Sequence, residues 1–154
     1  MKKTRKEVKA SESNDPLWRM RVYQLAAALL DESWPDVEAL VEHPGTIKVA
    51  GQLYEAVGSI EANLAEGYSR SSGRDRARIF EYAVGSARES LVWYRAARPV
   101  IGIDTATLRM DKLEEIRRML IAIIPRERDR TIYPGAPPPA PPAPRQRRIL
   151  RSPE

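Results

Sequence analysis

SIEANLAEGYSRSS, from Ser59 to Ser72, starts as an amphipathic helix and ends as a serine- and arginine-rich turn. Ile60 and Leu64 are four apart and share one helical face, with Asn63 and Glu66 beside them. Gly67 has the position of a C-terminal cap, and Arg70, Arg74, Arg76 and Arg78 follow it. The reading of this stretch decides among a plain bundle, a polar site and a nucleic-acid-binding surface.

Upstream, Thr46 is placed to cap a helix whose stripe is Ile47, Ala50, Leu53, Val57, Ile60 and Leu64, a spacing of three and four. Downstream, Ser72-Gly73-Arg74-Asp75 reads as a capping box. It opens a helix with the stripe Ile79 or Phe80, Ala83, Val84, Ala87, Leu91 and Tyr94, which Pro99 and Gly102 end. Before this pair, Asp15 and Pro16 start a helix with Trp18, Val22, Leu25 and Leu29 on one face, and Trp34-Pro35 ends or kinks it. Pro44-Gly45 breaks the connection that follows. After the pair, a helix from Asp104 or Thr105 shows Leu108, Leu113, Ile116, Leu120 and Ile123 and stops near Pro125 or soon after. The pattern predicts an all-α protein: an antiparallel up-down four-helix bundle over residues 16–130, with helices near 17–33, 46–67, 73–99 and 105–125.

The ends of the sequence differ from this body. Residues 1–15 are charged and poor in apolar side chains, which predicts a disordered basic tail. Residues 131–154 contain PGAPPPAPPAP, the composition of a polyproline-II spacer, and then RQRRILRSPE, which holds Arg145, Arg147 and Arg148. Net charge is +5, and its placement is uneven. Residues 17–66 carry three basic and eight acidic groups, and residues 67–98 seven and three. Such a field steers anionic partners toward one part of the surface.

Several function classes find no support. There is no cysteine and only one histidine, His43, so thiolate zinc sites and the Glu-x-x-His pairs of di-iron bundles are missing. No phosphate-binding glycine loop is present, and nothing around His43 builds a triad. No cofactor, no metal and no enzymatic activity are expected. The sequence has no apolar run of about 18 residues or more, and the basic N-terminus lacks the apolar stretch of a secretory signal. A cytoplasmic location without membrane contact is expected.

SIEANLAEGYSR, then a capped turn, then YAVGSARESL resembles the signature of the proteins encoded in 23S rRNA intervening sequences. The upstream QLYEAVGSI agrees with it, and the resemblance covers roughly residues 17–125. Two positions depart from the pattern: Glu61 stands where the family has proline, and Arg76 where it has an aromatic residue. The resemblance implies a four-helix bundle that assembles as a homopentamer. It also implies a relation to accessory proteins of diversity-generating retroelements, which bind nucleic acid and a reverse transcriptase. It brings no catalytic residues.

Structural roles are expected for Asn63, as an interhelical hydrogen-bonding group, and for Glu66, as the partner of an arginine or a cap of the next helix. Gly67, Gly85, Ser86 and Ala87 are expected where helices pack closely. Arg70, Arg74, Arg76 and Arg78, continued by Arg88, Arg95 and Arg98, are the expected phosphate contacts, together with Arg145, Arg147 and Arg148 in the tail. The expected function is therefore a non-enzymatic, oligomeric nucleic-acid-binding accessory protein. The alternative is a protein-interaction module that presents its proline- and arginine-rich tail.

Overall fold

The three-and-four spacing of the apolar residues is realised as four long helices packed side by side. The computed structural model describes residues 14–132. Among them the chain forms α1 (Arg21–Glu42), α2 (Ile47–Tyr68), α3 (Gly73–Ile101) and α4 (Ile103–Arg128), and no strand. Short 3-10 turns, Pro16–Arg19 and Pro44–Thr46, precede α1 and α2. The helices alternate in direction. Gly67 of α2 faces Phe80 of α3, Arg76 of α3 meets Glu127 of α4, and Arg109 of α4 reaches Glu32 of α1. Residues 1–13 and 133–154, with Arg145, Arg147 and Arg148, lie outside the described residues.

The core is built from the stripes. Leu29 and Leu40 of α1, Leu53, Val57, Ile60 and Leu64 of α2, Phe80 and Tyr94 of α3, and Leu113, Ile116 and Leu120 of α4 are fully buried. Two expected members are not in it. Leu108 is 66% exposed and Ile47 54%. On α4 the inward position one heptad before Leu113 is Ala106, which is fully buried. Leu108 is five residues from Leu113, a spacing that places it off the face.

The prolines do not end their helices. α1 continues through Pro35 for a further seven residues to Glu42, so Trp34-Pro35 is not the boundary expected from the sequence. α3 passes Pro99 and α4 passes Pro125 in the same way. Each proline removes a single N–H from its ladder, and at Pro99 a replacement is visible. The Arg95 carbonyl, which would have received that N–H, accepts instead from Arg98 Nε at 3.3 Å. α3 ends where Gly102 takes φ 86°, a conformation that favours glycine. That one residue joins α3 to α4.

A polar cluster ties α1, α3 and α4 together. Asp36 is buried, and its Oδ2 accepts from Tyr94 Oη at 3.2 Å and from Arg109 Nε at 2.9 Å. Arg109 also donates to the Glu32 carboxylate at 3.1 Å and to the Glu32 carbonyl at 3.0 Å. Lys112 holds the Glu32 carboxylate from the other side at 2.6 and 2.7 Å. Burial, helped by the neighbouring Asp36 charge, pushes the Tyr94 hydroxyl above the ordinary tyrosine range. For Arg109, burial pulls the pKa down, but the hydrogen bond and charge of Asp36 carry it up overall. This cluster has no local signature in the sequence, because its members are spread over three helices.

Two glycines differ in what surrounds them. A Cβ on Gly67 would lie 2.7 Å from the Phe80 ring, whereas a Cβ on Gly85 would meet nothing within 4 Å. Gly67→Ala is expected to destabilise by about 1–3 kcal/mol through overpacking, and Gly85→Ala to stabilise by about 0.5–1 kcal/mol through helix propensity. Urea unfolding followed by circular dichroism measures both. In the same assay Arg109→Met, which leaves the Asp36 carboxylate buried without its cation, is expected to lose about 3 kcal/mol.

Candidate nucleic-acid interface

The turn between α2 and α3 is made by serine side chains. Ser69 Oγ donates to the Ala65 carbonyl at 2.9 Å, satisfying a helix-end acceptor. Ser72 is the N-cap of α3, and its Oγ accepts from the Asp75 amide at 3.1 Å. The Asp75 carboxylate accepts from Arg78 at 2.8 and 3.1 Å. That hydrogen bond, helped by the charges of Arg78 and Arg70, holds the Asp75 carboxyl below its usual range against the opposing effect of burial. The hydrogen bonds to Asp75 and then to Tyr82 raise Arg78.

The four turn arginines are not alike. Arg76 is only 6% exposed and points into the bundle end. It donates to Glu127 of α4 at 3.2 Å and to the Tyr68 carbonyl at 2.9 Å, and its guanidinium lies 4.8 Å from the centre of the Tyr68 ring. A charge so placed has its electrostatic partners inside the protein. Arg76 is therefore removed from the expected phosphate contacts, because burial takes it away from any ligand. Arg70 is paired with Glu66 and lies 4.0 Å from Asp75, and Arg78 is paired with Asp75. Arg74 is exposed and makes no ion pair among the described residues.

Arg74 borders an open cleft of about 430 Å³ with Ser72, Asp75, Arg78, Glu81 and Arg128. Within it, Asp75 is matched by Arg78 and Glu81 by Arg128, which leaves Arg74 as the surplus charge. Further along α3, Arg88, Arg95 and Arg98 are exposed and without a carboxylate partner among the described residues.

The expected structural residues divide in a similar way. Asn63 Nδ2 donates to the Ser59 carbonyl at 2.8 Å and to Ser59 Oγ at 3.1 Å, and lies 3.5 Å from Ser86 Oγ on α3. Ser86 Oγ in turn donates to Ser59 Oγ at 3.1 Å. Asn63, Ser59 and Ser86 thus form one polar contact between α2 and α3. Glu66 is exposed and bound to Arg70. Gly67 sits inside α2, which runs on to Tyr68, so its role is close approach to Phe80 rather than a left-handed cap. Gly85 lies on the solvent side and packs against nothing, which corrects its expected place at a helix crossing. Besides Gly67, Gly73 sits at such a contact: a Cβ there would lie 2.1 Å from the Glu127 carbonyl oxygen and 2.4 Å from that of Arg130. Thr46 marks the start of α2 without capping it, since its hydroxyl donates back to the Leu40 carbonyl at 2.8 Å.

Residues 19–122 match the model of the family described as 23S rRNA-intervening sequence protein. The chain belongs to this family. A similar fold occurs in the crystal structure of a protein of unknown function from the S23 ribosomal protein family of Bacteroides thetaiotaomicron. That protein is 21% identical, with a TM-score of 0.63 over 67% of this chain and 97% of the other. The likeness concerns the fold alone. No curated protein matches the chain. No helix among the described residues is long and apolar enough to cross a membrane.

The division of the arginines has a measurable consequence. Arg76→Leu leaves Glu127 without its α3 cation and is expected to lose about 1–3 kcal/mol of stability. Arg74→Ala, on the surface, is expected to stay within about 0.5 kcal/mol of the parent. Thermal and urea unfolding of the two variants separates the roles.

Proposed function

We propose that this member of the 23S rRNA-intervening sequence protein family is a non-enzymatic, homo-oligomeric nucleic-acid-binding protein. It acts as an accessory or scaffold in a cytoplasmic nucleoprotein complex and holds RNA or DNA through arginine–phosphate contacts. The observation that carries this reading is the set of exposed arginines on α3 that no carboxylate of the bundle neutralises. Unpaired guanidinia on one face attract phosphate through charge and counterion release, without reading bases. Arg145, Arg147 and Arg148 in the tail add cations to the same interaction.

Self-association, as a homopentamer by the family resemblance, has separate support. Trp34 is 51% exposed and touches exposed Tyr54 edge-on at 5.4 Å between ring centres. Nearby Ile47 and Gly51 border an apolar cleft of about 440 Å³ with Trp93. Water-facing aromatic and aliphatic groups gathered in this way gain free energy when covered. The same patch supports the second reading, a module that docks a protein partner; a reverse transcriptase is the partner that the retroelement branch supplies.

Binding of a random-sequence polynucleotide, measured by fluorescence anisotropy at several salt concentrations, tests the first reading. Affinity is expected to fall steeply with salt and to vary little with sequence. Salt-independent or absent binding contradicts it and favours the protein-docking module. Sedimentation at micromolar concentration is expected to give a pentamer, and a monomer alone rejects the self-association.

A further inference from the structure

Three of the four turn arginines, Arg70, Arg76 and Arg78, are paired with carboxylates, so the face that offers charge to a ligand starts at the fourth, Arg74. Arg74, Arg88 and Arg95 are fourteen and seven residues apart, whole multiples of the heptad, and therefore share one side of α3 with a slow drift. All three are exposed and free of carboxylates among the described residues. Glu81 fills the intervening heptad position, but Arg128 of α4 neutralises it. Arg98 stands one turn beyond Arg95, its Nε held by the Arg95 carbonyl. The stripe from Arg74 to Arg95 is about 31 Å long at 1.5 Å per residue.

Gly85 lies in the middle of this stripe, three residues before Arg88. It has neither the close neighbour that Gly67 has nor the positive φ of Gly102. A glycine in mid-helix weakens the helix, and nothing inside the bundle accounts for it. Outside the bundle it lowers the helix surface, so that an extended ligand can approach the backbone.

We propose that a polynucleotide backbone lies along this side of α3, with Arg74, Arg88 and Arg95 as its phosphate contacts and Gly85 as the point of closest approach. The inference deepens the nucleic-acid reading and rests on it, and it narrows the contacts to the helix face that runs from Arg74 to Arg95. A phosphodiester backbone suits the stripe because it presents charge continuously, about one per 1.7 Å of axis in duplex DNA. Arginines spaced along a rigid helix then find phosphates without a matched pattern of acidic groups.

The test uses the full chain and two variants, Arg74→Gln/Arg88→Gln/Arg95→Gln and Arg70→Gln/Arg78→Gln. Each is titrated at several salt concentrations against single- and double-stranded RNA and DNA of random sequence. The first variant is expected to bind at least about tenfold more weakly, and its salt slope to drop by about 2–3, near 0.7–0.9 per lost contact. The second is expected to stay within about threefold of the parent. Lysine at the same three positions keeps the charge and is expected to restore most of the binding, which separates charge loss from misfolding. A loss confined to one polymer identifies that polymer as the ligand and supports the proposal. Unchanged binding by the first variant, or a larger loss in the second, overturns it while the nucleic-acid reading stands. Absence of binding by the parent chain to all four polymers overturns both.

Discussion

The contact between Arg76 and Glu127 constrains one end of the molecule, and much else follows from it. A guanidinium that is 6% exposed must find its hydrogen bonds and its counter-charge inside the protein. Its two terminal nitrogens do so with the Glu127 carboxylate on α4 and the Tyr68 carbonyl at the end of α2, its plane lies over the Tyr68 ring, and its Nε is buried without a hydrogen-bond partner. The start of α3 is thereby fixed to the ends of both neighbours. Gly73 permits the approach, since any side chain there would collide with the carbonyls of Glu127 and Arg130. The turn is therefore a structural joint as well as a charged surface.

The Asp36 cluster does comparable work nearer the other end. Asp36, Tyr94, Arg109, Glu32 and Lys112 link α1, α3 and α4 by direct hydrogen bonds. Together the two clusters hold α3 in rotation about its own axis. Rotation matters for function because it decides which arginines face water. With Phe80, Ala83, Ala87 and Tyr94 buried, Arg74, Arg88 and Arg95 face outward while Arg76 faces inward. A basic composition becomes a directed surface through this packing.

The bundle was legible in the sequence because apolar spacing is a local signal. Leu53, Val57, Ile60 and Leu64 were identified by it, and so was the Ser72 cap. A residue whose role depends on a distant partner carries no such local signal. Arg76 stands where the family has an aromatic residue, which hints at packing, but its charge groups it with the other turn arginines because its carboxylate lies 51 residues away. Gly67 and Gly85 both read as packing glycines, but only the placement of Phe80 tells them apart. Pro35 read as a helix end, yet a single missing hydrogen bond does not stop a helix whose later residues Val37 and Leu40 are buried. Leu108 stands out by its size, whereas Ala106, which carries little hydrophobic signal, holds the inward position. Of the candidate interface, the sequence shows which arginines lie on α3, and only the packing shows that Arg76 is buried while Arg74, Arg88 and Arg95 are exposed.

The account depends most on the claim that the arginines of α3 are divided between inward partners and an outward stripe. Arginine-selective modification by phenylglyoxal, quantified residue by residue by mass spectrometry with and without bound polynucleotide, addresses that division directly. The account predicts rapid labelling of Arg74, Arg88 and Arg95 in the free protein, their protection by polynucleotide, and slow labelling of Arg76 and Arg109 in both states. Rapid labelling of Arg76 in the folded protein, or labelling of Arg74, Arg88 and Arg95 unaffected by bound polynucleotide, contradicts it.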